Sequence, residues 1–165
     1  IALVEFEGAL PRAKLFANWQ KGVPDPEALE ILASAGFDPH QRVIVHEDGL
    51  PETDNPADTI NLDPVEFVAN RAKYIELKTP PTEINTVLLL NDRHNPDWQV
   101  TVDGKPARLL RANFLMRGVH LEPSKEGHTV VFRYLPSTTP LMVSSAAGLI
   151  GLIFGVVGLC RCKED

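Results

Sequence analysis

The chain has 165 residues, of which 44% are hydrophobic and 23% charged, a composition typical of folded proteins and not of disordered chains. Its formal net charge of −6 argues against a nucleic-acid partner, because such proteins usually present a basic face. The composition of the whole chain combines two unlike parts. Residues 1–135 are mixed and polar, whereas residues 136–160 contain no charged side chain. We therefore expect a polar domain followed by an apolar appendage.

The sequence pattern of residues 1–64 predicts short strands and a single helix. Strands are expected at Ile1–Phe6, Ala13–Gln20 and Arg42–His46, and a loop at Glu47–Pro64. A helix is expected at Pro26–Ala35, because an acidic residue lies in its first turn and a glycine follows it. Since the first residue is not methionine and already lies in a predicted strand, we expect a processed product or a piece of something longer.

From residue 65 onward the pattern is β throughout. The Asp103-Gly104 pair predicts a hairpin turn, and strands recur at intervals of roughly ten residues. The predicted fold is mainly β: an antiparallel β-sandwich with one short helix in the N-terminal half, followed by one C-terminal transmembrane α-helix. The expected strands are Val65–Asn70, Lys73–Lys78, Glu83–Leu90, Trp98–Val102, Lys105–Leu110, Phe114–Leu121 and His128–Leu135.

The segment Leu141–Cys160 predicts a membrane helix. Its length of about 20 residues corresponds to about 30 Å of helix, the thickness of a bilayer core. Arg161 and Lys163 follow it directly, so the positive-inside rule places the tail 161–165 in the cytoplasm and residues 1–135 outside. The expected location is a cell membrane with one span at 136–160, and membrane lipid is an expected partner.

Small residues recur at every fourth position of this predicted helix. Ala147, Gly151 and Gly155 would let another helix approach closely, which predicts a helix-packing face for partner subunits or for a missing upstream multi-pass region. Background composition is the alternative, because glycine is common in membrane helices. Cys160 and Cys162 are expected to be reduced thiols at the cytoplasmic rim, since one C-x-C pair is too few ligands for zinc. Lipidation of these juxtamembrane cysteines is the weaker alternative.

The sequence predicts no catalytic, cofactor-binding or metal-binding residue. The five histidines are scattered without ligand spacing, and no nucleophile elbow or phosphate-binding loop is present. Asp92, Asp97 and Asp103 lie close together in sequence, and paired carboxylates can hydrolyse glycosides. A loop and a hairpin turn explain these three more simply, so no enzyme activity is expected of this chain by itself.

Charge is distributed unevenly along the polar part. Residues 1–70 carry thirteen acidic and four basic side chains, whereas residues 71–135 carry seven acidic and ten basic ones. One interpretation is a solvated acidic edge. The other is a basic half lying near anionic lipid headgroups.

A series of motifs in the second half resembles a known family. The chain is similar to the C-terminal extracytoplasmic domain and last membrane helix of bacterial YfhO-like proteins, which are similar to GT-C glycosyltransferases. Residues 8–13 fit the family's entry into this domain, and Pro96-Asp97-Trp98 departs from its usual proline-glycine-tryptophan. The motifs are Leu88–Asn91, Asn95–Trp98, Val100–Lys105, Arg111–Asn113, Arg117–Val119, Gly127–Val130 and Phe132–Pro136.

The resemblance implies a non-catalytic extracytoplasmic domain accessory to the transfer of lipid-linked sugars. The family's catalytic residues would belong to upstream membrane helices, and no position here matches one. Trp98 and Tyr134 are candidates for contact with a glycan, a lipid-linked sugar or a headgroup, although core packing also explains such rings. The alternative is a single-span structural subunit that docks on a larger membrane complex through its helix and outer sandwich.

Overall fold

The computed structural model describes residues 9–53 and 62–136, together with the single helical positions Ser144 and Ala147. The chain divides into two compact units, Ile1–Leu135 and Pro136–Asp165. The first, here called the β domain, is mainly β with antiparallel sheets and one short helix, which confirms that part of the predicted fold class.

Two of the elements predicted from the sequence lie wholly or mostly outside the described residues. The expected strand Ile1–Phe6 lies outside the described residues, and so does the predicted membrane helix Leu141–Cys160 apart from Ser144 and Ala147. Among the residues that the structure describes, no helix is long and apolar enough to cross a membrane.

The β domain contains eleven strands and one helix within the described residues. The strands are β1 (Ala13–Phe16), β2 (Trp19–Gln20), β3 (Val43–Ile44), β4 (Glu66–Arg71), β5 (Tyr74–Lys78), β6 (Thr86–Arg93), β7 (Trp98–Val102), β8 (Lys105–Ala107), β9 (Leu110–Ala112), β10 (Met116–Leu121) and β11 (Thr129–Tyr134), and the helix is α1 (Asp25–Ala33).

Two antiparallel sheets share the main core. One has the strand order β1-β6-β10-β9, and the other has the order β4-β5-β11-β7-β8. Alternate residues of both sheets meet in a single apolar cluster, in which Leu88 and Leu90 of β6 lie with Val130 and Phe132 of β11. All four are fully buried, as expected where the period-two side-chain pattern points one face inward.

The N-terminal segment covers the other face of the four-stranded sheet. The short strands β2 and β3 pair in parallel, and Trp19 and Val43 pack with Val87 and Leu89 in a second apolar cluster. Helix α1 forms a third cluster through Ala28, which packs with residues of the preceding loop and of β3. The short helix therefore buries only one side against the domain.

Two predicted strands are divided in the structure. Ala13–Gln20 breaks into β1 and β2, which belong to different sheets. Lys105–Leu110 likewise ends at Ala107, because β8 is the edge strand of one sheet whereas Leu110 begins β9 of the other. Pro106 fits an edge strand, since proline has no N–H to donate to a neighbour.

The predicted hairpin between β7 and β8 is confirmed. Asp103 has φ +50° and Gly104 has φ +76°, the left-handed pair that a two-residue turn of type I′ requires. Val102 pairs with Lys105 across this turn, so the turn fixes the register of the two strands.

Candidate functional site

The last strand builds the end of the β domain at which the chain leaves it. β11 ends at Tyr134, whose N–H donates to the carbonyl of Lys73 at 3.0 Å, and the N–H of Leu135 donates to the carbonyl of Asp97 at 2.8 Å. The neighbouring strand β7 begins at Trp98, the register partner of Tyr134. We call this end, which carries Trp98, Tyr134 and Leu135, the exit end.

The two aromatic residues that the sequence singles out lie side by side at the exit end. The ring centroids of Trp98 and Tyr134 are 5.4 Å apart with their planes inclined by 55°, and both side chains are half-buried. The hydroxyl of Tyr134 donates to the carboxylate of Asp97 at 3.3 Å. Burial and this neighbouring carboxylate raise the pKa of Tyr134. A contact with sugar or headgroup at these residues stays a prediction.

The turn before Trp98 forms although the glycine of the resembling family is absent. The carbonyl of Asn95 accepts the N–H of Trp98 at 3.0 Å, and its side-chain oxygen accepts the N–H of Asp97 at 2.8 Å. The side chain of Asn95 thus supplies one of the hydrogen bonds that hold the turn closed.

A buried arginine holds the tryptophan from the opposite sheet. The side chain of Arg117 is only 3% exposed, and its guanidinium carbon lies 3.8 Å from the centroid of the Trp98 ring. A cation over an indole face is a favourable electrostatic contact that gains strength when water is excluded. Arg117 also donates to Asp92 at 2.7 Å, and Arg12 donates to the same carboxylate through two nitrogens at 3.0 and 2.9 Å.

The carboxylate of Asp92 is therefore shared by two cations. Burial alone would raise the pKa of Asp92, but the hydrogen bond from Arg12 and the charges of both arginines lower it below its ordinary value. Burial lowers the pKa of Arg117, while its guanidinium stays protonated in any folded protein. The cluster of Arg12, Asp92 and Arg117 carries a net charge of one positive unit.

This arrangement restricts what Trp98 can bind. Because the guanidinium of Arg117 occupies one face of the indole, a sugar ring cannot stack on that face. Sequence reasoning missed Arg117, although a signal was present. In a strand every second side chain points to the same face, and Arg117 precedes the core residues Val119 and Leu121 by two and four positions. The sequence pattern therefore places the cation of Arg117 on the buried face of the strand.

A strained turn presents an apolar side chain next to the exit end. Between β9 and β10, Asn113 has φ +43° and Phe114 has φ +70°, values that are uncommon for residues with a side chain. The N–H of His94, the residue after β6, donates to the carbonyl of Leu115 at 2.7 Å. The side chain of Leu115 is 51% exposed, so this turn holds a large apolar group toward solvent.

At the opposite end of β7, a histidine–aspartate pair joins the hairpin turn to the residue that precedes β11. Nδ1 of His128 lies 2.6 Å from the carboxylate of Asp103, and its Nε2 lies 2.8 Å from the carbonyl of Glu122. Both ring nitrogens thus face acceptors, which favours the protonated ring. Burial lowers the pKa of His128, but the hydrogen bond to Asp103 and the one to Glu122 outweigh it and raise the pKa.

The three neighbouring carboxylates of the sequence have separate partners. Asp92 pairs with arginines, Asp97 accepts from Tyr134, and Asp103 pairs with His128. Within the part of the chain that the structure describes, no group of side chains has the makings of a metal site.

The predicted helix-packing residues are placed only in part. Ala147 is helical with an exposed side chain, whereas Gly151 and Gly155 lie outside the described residues. The packing face therefore stays a prediction.

Comparison of the chain with family models, curated proteins and solved structures gave no significant match.

Proposed function

We propose that the β domain is an antiparallel β-sandwich held outside a cell membrane by the predicted helix at 141–160. The domain is non-catalytic, and it is accessory to the transfer of lipid-linked sugars by a larger membrane assembly, as the resemblance to YfhO-like proteins implies. Pro136 follows the last strand and only four residues separate it from Leu141. At about 3.6 Å per residue, Tyr134 is then within about 25 Å of the start of the membrane helix.

The observation that carries this proposal is the Trp98–Tyr134 pair at the exit end. Tryptophan and tyrosine are enriched where protein meets the polar boundary of a bilayer, because each ring is apolar with one polar atom. Both rings lie at the C-terminal end of β11, after which the chain continues to the predicted apolar segment. β11 is an inner strand of its sheet. An anchor attached to an inner strand holds the whole sheet near the membrane.

The start of β1 supports the same orientation. The carbonyl of Arg12 accepts the N–H of Asn91 near the end of β6, and the Arg12 side chain reaches Asp92. The first strand of the shared core therefore begins close to the cluster that holds Trp98. The start of β1 thus lies on the side that the proposal places toward the membrane.

A second candidate is a single-span structural subunit of a membrane complex. It would dock through Ala147, Gly151 and Gly155, and the observation that favours it is the exposed, helical position of Ala147. The two candidates share the anchored architecture and differ in whether a lipid-linked sugar is bound.

Orientation is tested with the two native cysteines, Cys160 and Cys162. In a Cys160→Ser/Cys162→Ser chain, Lys105→Cys places one thiol on the exposed hairpin between β7 and β8. A membrane-impermeant maleimide added to intact spheroplasts should label Lys105→Cys but not the native cysteines of the unmodified chain. Labelling of the native cysteines alone would show that the orientation is the reverse of the proposed one. Recovery of the chain in the fraction without membranes would contradict the proposed membrane anchor.

Sugar binding is tested with the chain in detergent or nanodiscs and a radiolabelled polyprenyl-phosphate sugar. We expect retention of the labelled lipid without its turnover, and weaker retention after Trp98→Ala. The matched control is Trp19→Phe, which alters the other tryptophan of the chain, buried in a different cluster. Retention that is absent in the unmodified chain would favour the structural subunit, and turnover would contradict a non-catalytic role.

A further inference from the structure

Four exposed basic side chains surround the exit end. Arg71 ends β4 and pairs with Tyr74, which pairs in turn with Arg133 of β11, so these positions form one row across the sheet. Lys73 lies in the turn between β4 and β5. Arg93 ends β6, next to the aspartate that holds Arg117 over Trp98. We call Arg71, Lys73, Arg93 and Arg133 the basic rim.

The basic rim has a carboxylate close by, that of Glu76, which accepts the hydroxyl of Tyr74 at 2.7 Å beside Arg133. Within residues 9–53 and 62–136 no member of the rim forms an ion pair, whereas Arg12 and Arg117 are both engaged by Asp92. Arg133 instead lies 5.4 Å from the ring centroid of Tyr74, which orders the guanidinium without cancelling its charge. Among the described residues, an anionic group outside the domain would therefore have no ion pair of the rim to displace.

Apolar side chains accompany the rim at the same end. Leu115 and Leu135 are 51% and 54% exposed, and the half-buried pair of Trp98 and Tyr134 lies at this end as well. Cations, aromatic rings and exposed leucines together are the composition that binds the boundary of an anionic bilayer: the cations meet phosphate and the apolar groups enter below it.

We propose that the exit end is a lipid-contacting surface selective for anionic headgroups. The basic rim binds lipid phosphates, and Leu115 and Leu135 enter the headgroup layer beside Trp98 and Tyr134. This inference rests on the proposed function, because it requires the predicted helix to bring the β domain to a membrane. It goes beyond anchoring, since the domain then recognises lipid composition and fixes its own orientation.

The opposite end of the domain provides a matched control. Lys78, Lys105 and Lys125 are also exposed, but they lie among exposed acidic residues such as Glu122 and Glu126. The variants to compare are Arg71→Gln/Lys73→Gln/Arg133→Gln at the exit end and Lys78→Gln/Lys105→Gln/Lys125→Gln at the other. Both remove three positive charges, so a nonspecific effect of net charge appears equally in each.

The full chain is placed in nanodiscs of phosphatidylcholine alone or in an equimolar mixture with phosphatidylglycerol. Hydrogen exchange is then followed in the turn at Arg71–Tyr74 and in the turn at Asn113–Leu115. We expect exchange in these turns to slow by about threefold or more in the anionic discs. The effect should disappear in the exit-end variant, persist in the lysine control, and weaken in about 0.5 M NaCl, where the Debye length is about 4 Å.

Each other outcome has a distinct meaning. Equal exchange in both kinds of disc, with the chain inserted, overturns the lipid-contacting surface and leaves the anchored domain standing. Loss of the effect in both variants also overturns it, because the effect would then follow net charge. Slowing by inorganic phosphate in phosphatidylcholine discs would assign the rim to free phosphate. A chain that fails to enter either disc contradicts the proposed function itself.

Discussion

The guanidinium of Arg117 and the indole of Trp98 join the two sheets at the exit end. Arg117 is the second residue of β10 in the four-stranded sheet, and Trp98 begins β7 in the five-stranded sheet. The guanidinium carbon lies 3.8 Å from the centroid of the indole ring. Asp92 fixes the arginine in this position through a hydrogen bond of 2.7 Å. A buried charge therefore couples the two sheets at the end where the chain leaves the β domain.

Replacing Arg117 should destabilise the domain even when the charge is kept. Arg117→Lys retains a cation but loses the flat group that stacks on Trp98, so we expect the free energy of unfolding to fall by about 1–2 kcal/mol. Arg117→Met should cost about 3–5 kcal/mol, the usual consequence of removing one partner of a buried pair. Urea unfolding of the full chain in detergent measures both, with the exposed Arg93→Lys as the control. Equal stability of Arg117→Lys and the unmodified chain would contradict a structural role for the stacking.

Stability should decrease as the pH rises through the pKa of His128. This pKa is raised in the folded state, so the protonated ring stabilises the fold fully below about pH 6.5, the ordinary value, and the contribution is lost at higher pH. Because Asp103 is half exposed, solvent screening limits the effect to about 2–4 °C in melting temperature between pH 6 and pH 9. His128→Gln should remove this part of the pH dependence, while the exposed His40→Gln should retain it. A pH profile unchanged by His128→Gln would contradict the assignment.

Gly118 should not tolerate a side chain. A Cβ at this position would lie 2.8 Å from the backbone carbonyl oxygen of Leu88 in the neighbouring strand, and backbone cannot move aside cheaply. We expect Gly118→Ala to lower the free energy of unfolding by about 1–3 kcal/mol. Gly36→Ala is the matched control, since nothing lies within 4 Å of its added Cβ. Denaturant midpoints that do not differ between the two variants would show that the strands adjust without cost.

Local signals predicted the strands that turns define. The expected strand Trp98–Val102 has the same bounds as β7, because Asp103-Gly104 ends it with a turn that only a few residue types can form. The same turn sets the register of β7 with β8, whereas the pairing of Trp98 with Tyr134 joins β7 to the distant strand β11. The single short helix was likewise predicted from its flanking residues, within two residues at its end.

Contacts between distant residues could not be predicted from these signals. Lys105–Leu110 is a continuous β pattern, yet its two ends lie in different sheets, and periodicity carries no information about which sheet a strand joins. The same limit hid the site, because the pairing of Arg12 and Arg117 with Asp92 brings together residues up to eighty positions apart. The basic rim was predicted only as an excess of positive charge in residues 71–135.

The turn that exposes Leu115 should depend on the amide of Asn113. Its side-chain oxygen accepts the N–H of Ile44 at 2.9 Å in a buried site, and its φ of +43° is one that asparagine tolerates better than most residues. Asn113→Gly keeps the backbone free of strain but leaves the N–H of Ile44 without this partner, so we expect a loss of about 1–3 kcal/mol. Asn113→Ala adds the strain of a positive φ and should cost about 1 kcal/mol more than Asn113→Gly.

These two variants separate the hydrogen bond from the backbone conformation. Unfolding by urea gives their order, and hydrogen exchange in the turn at Asn113–Leu115 shows whether the loss is local. If Asn113→Gly is as stable as the unmodified chain, the buried hydrogen bond contributes nothing and the backbone alone sets the turn. If Asn113→Ala matches Asn113→Gly, the positive φ is not strained, and the turn holds Leu115 outward through the bond to Ile44 alone.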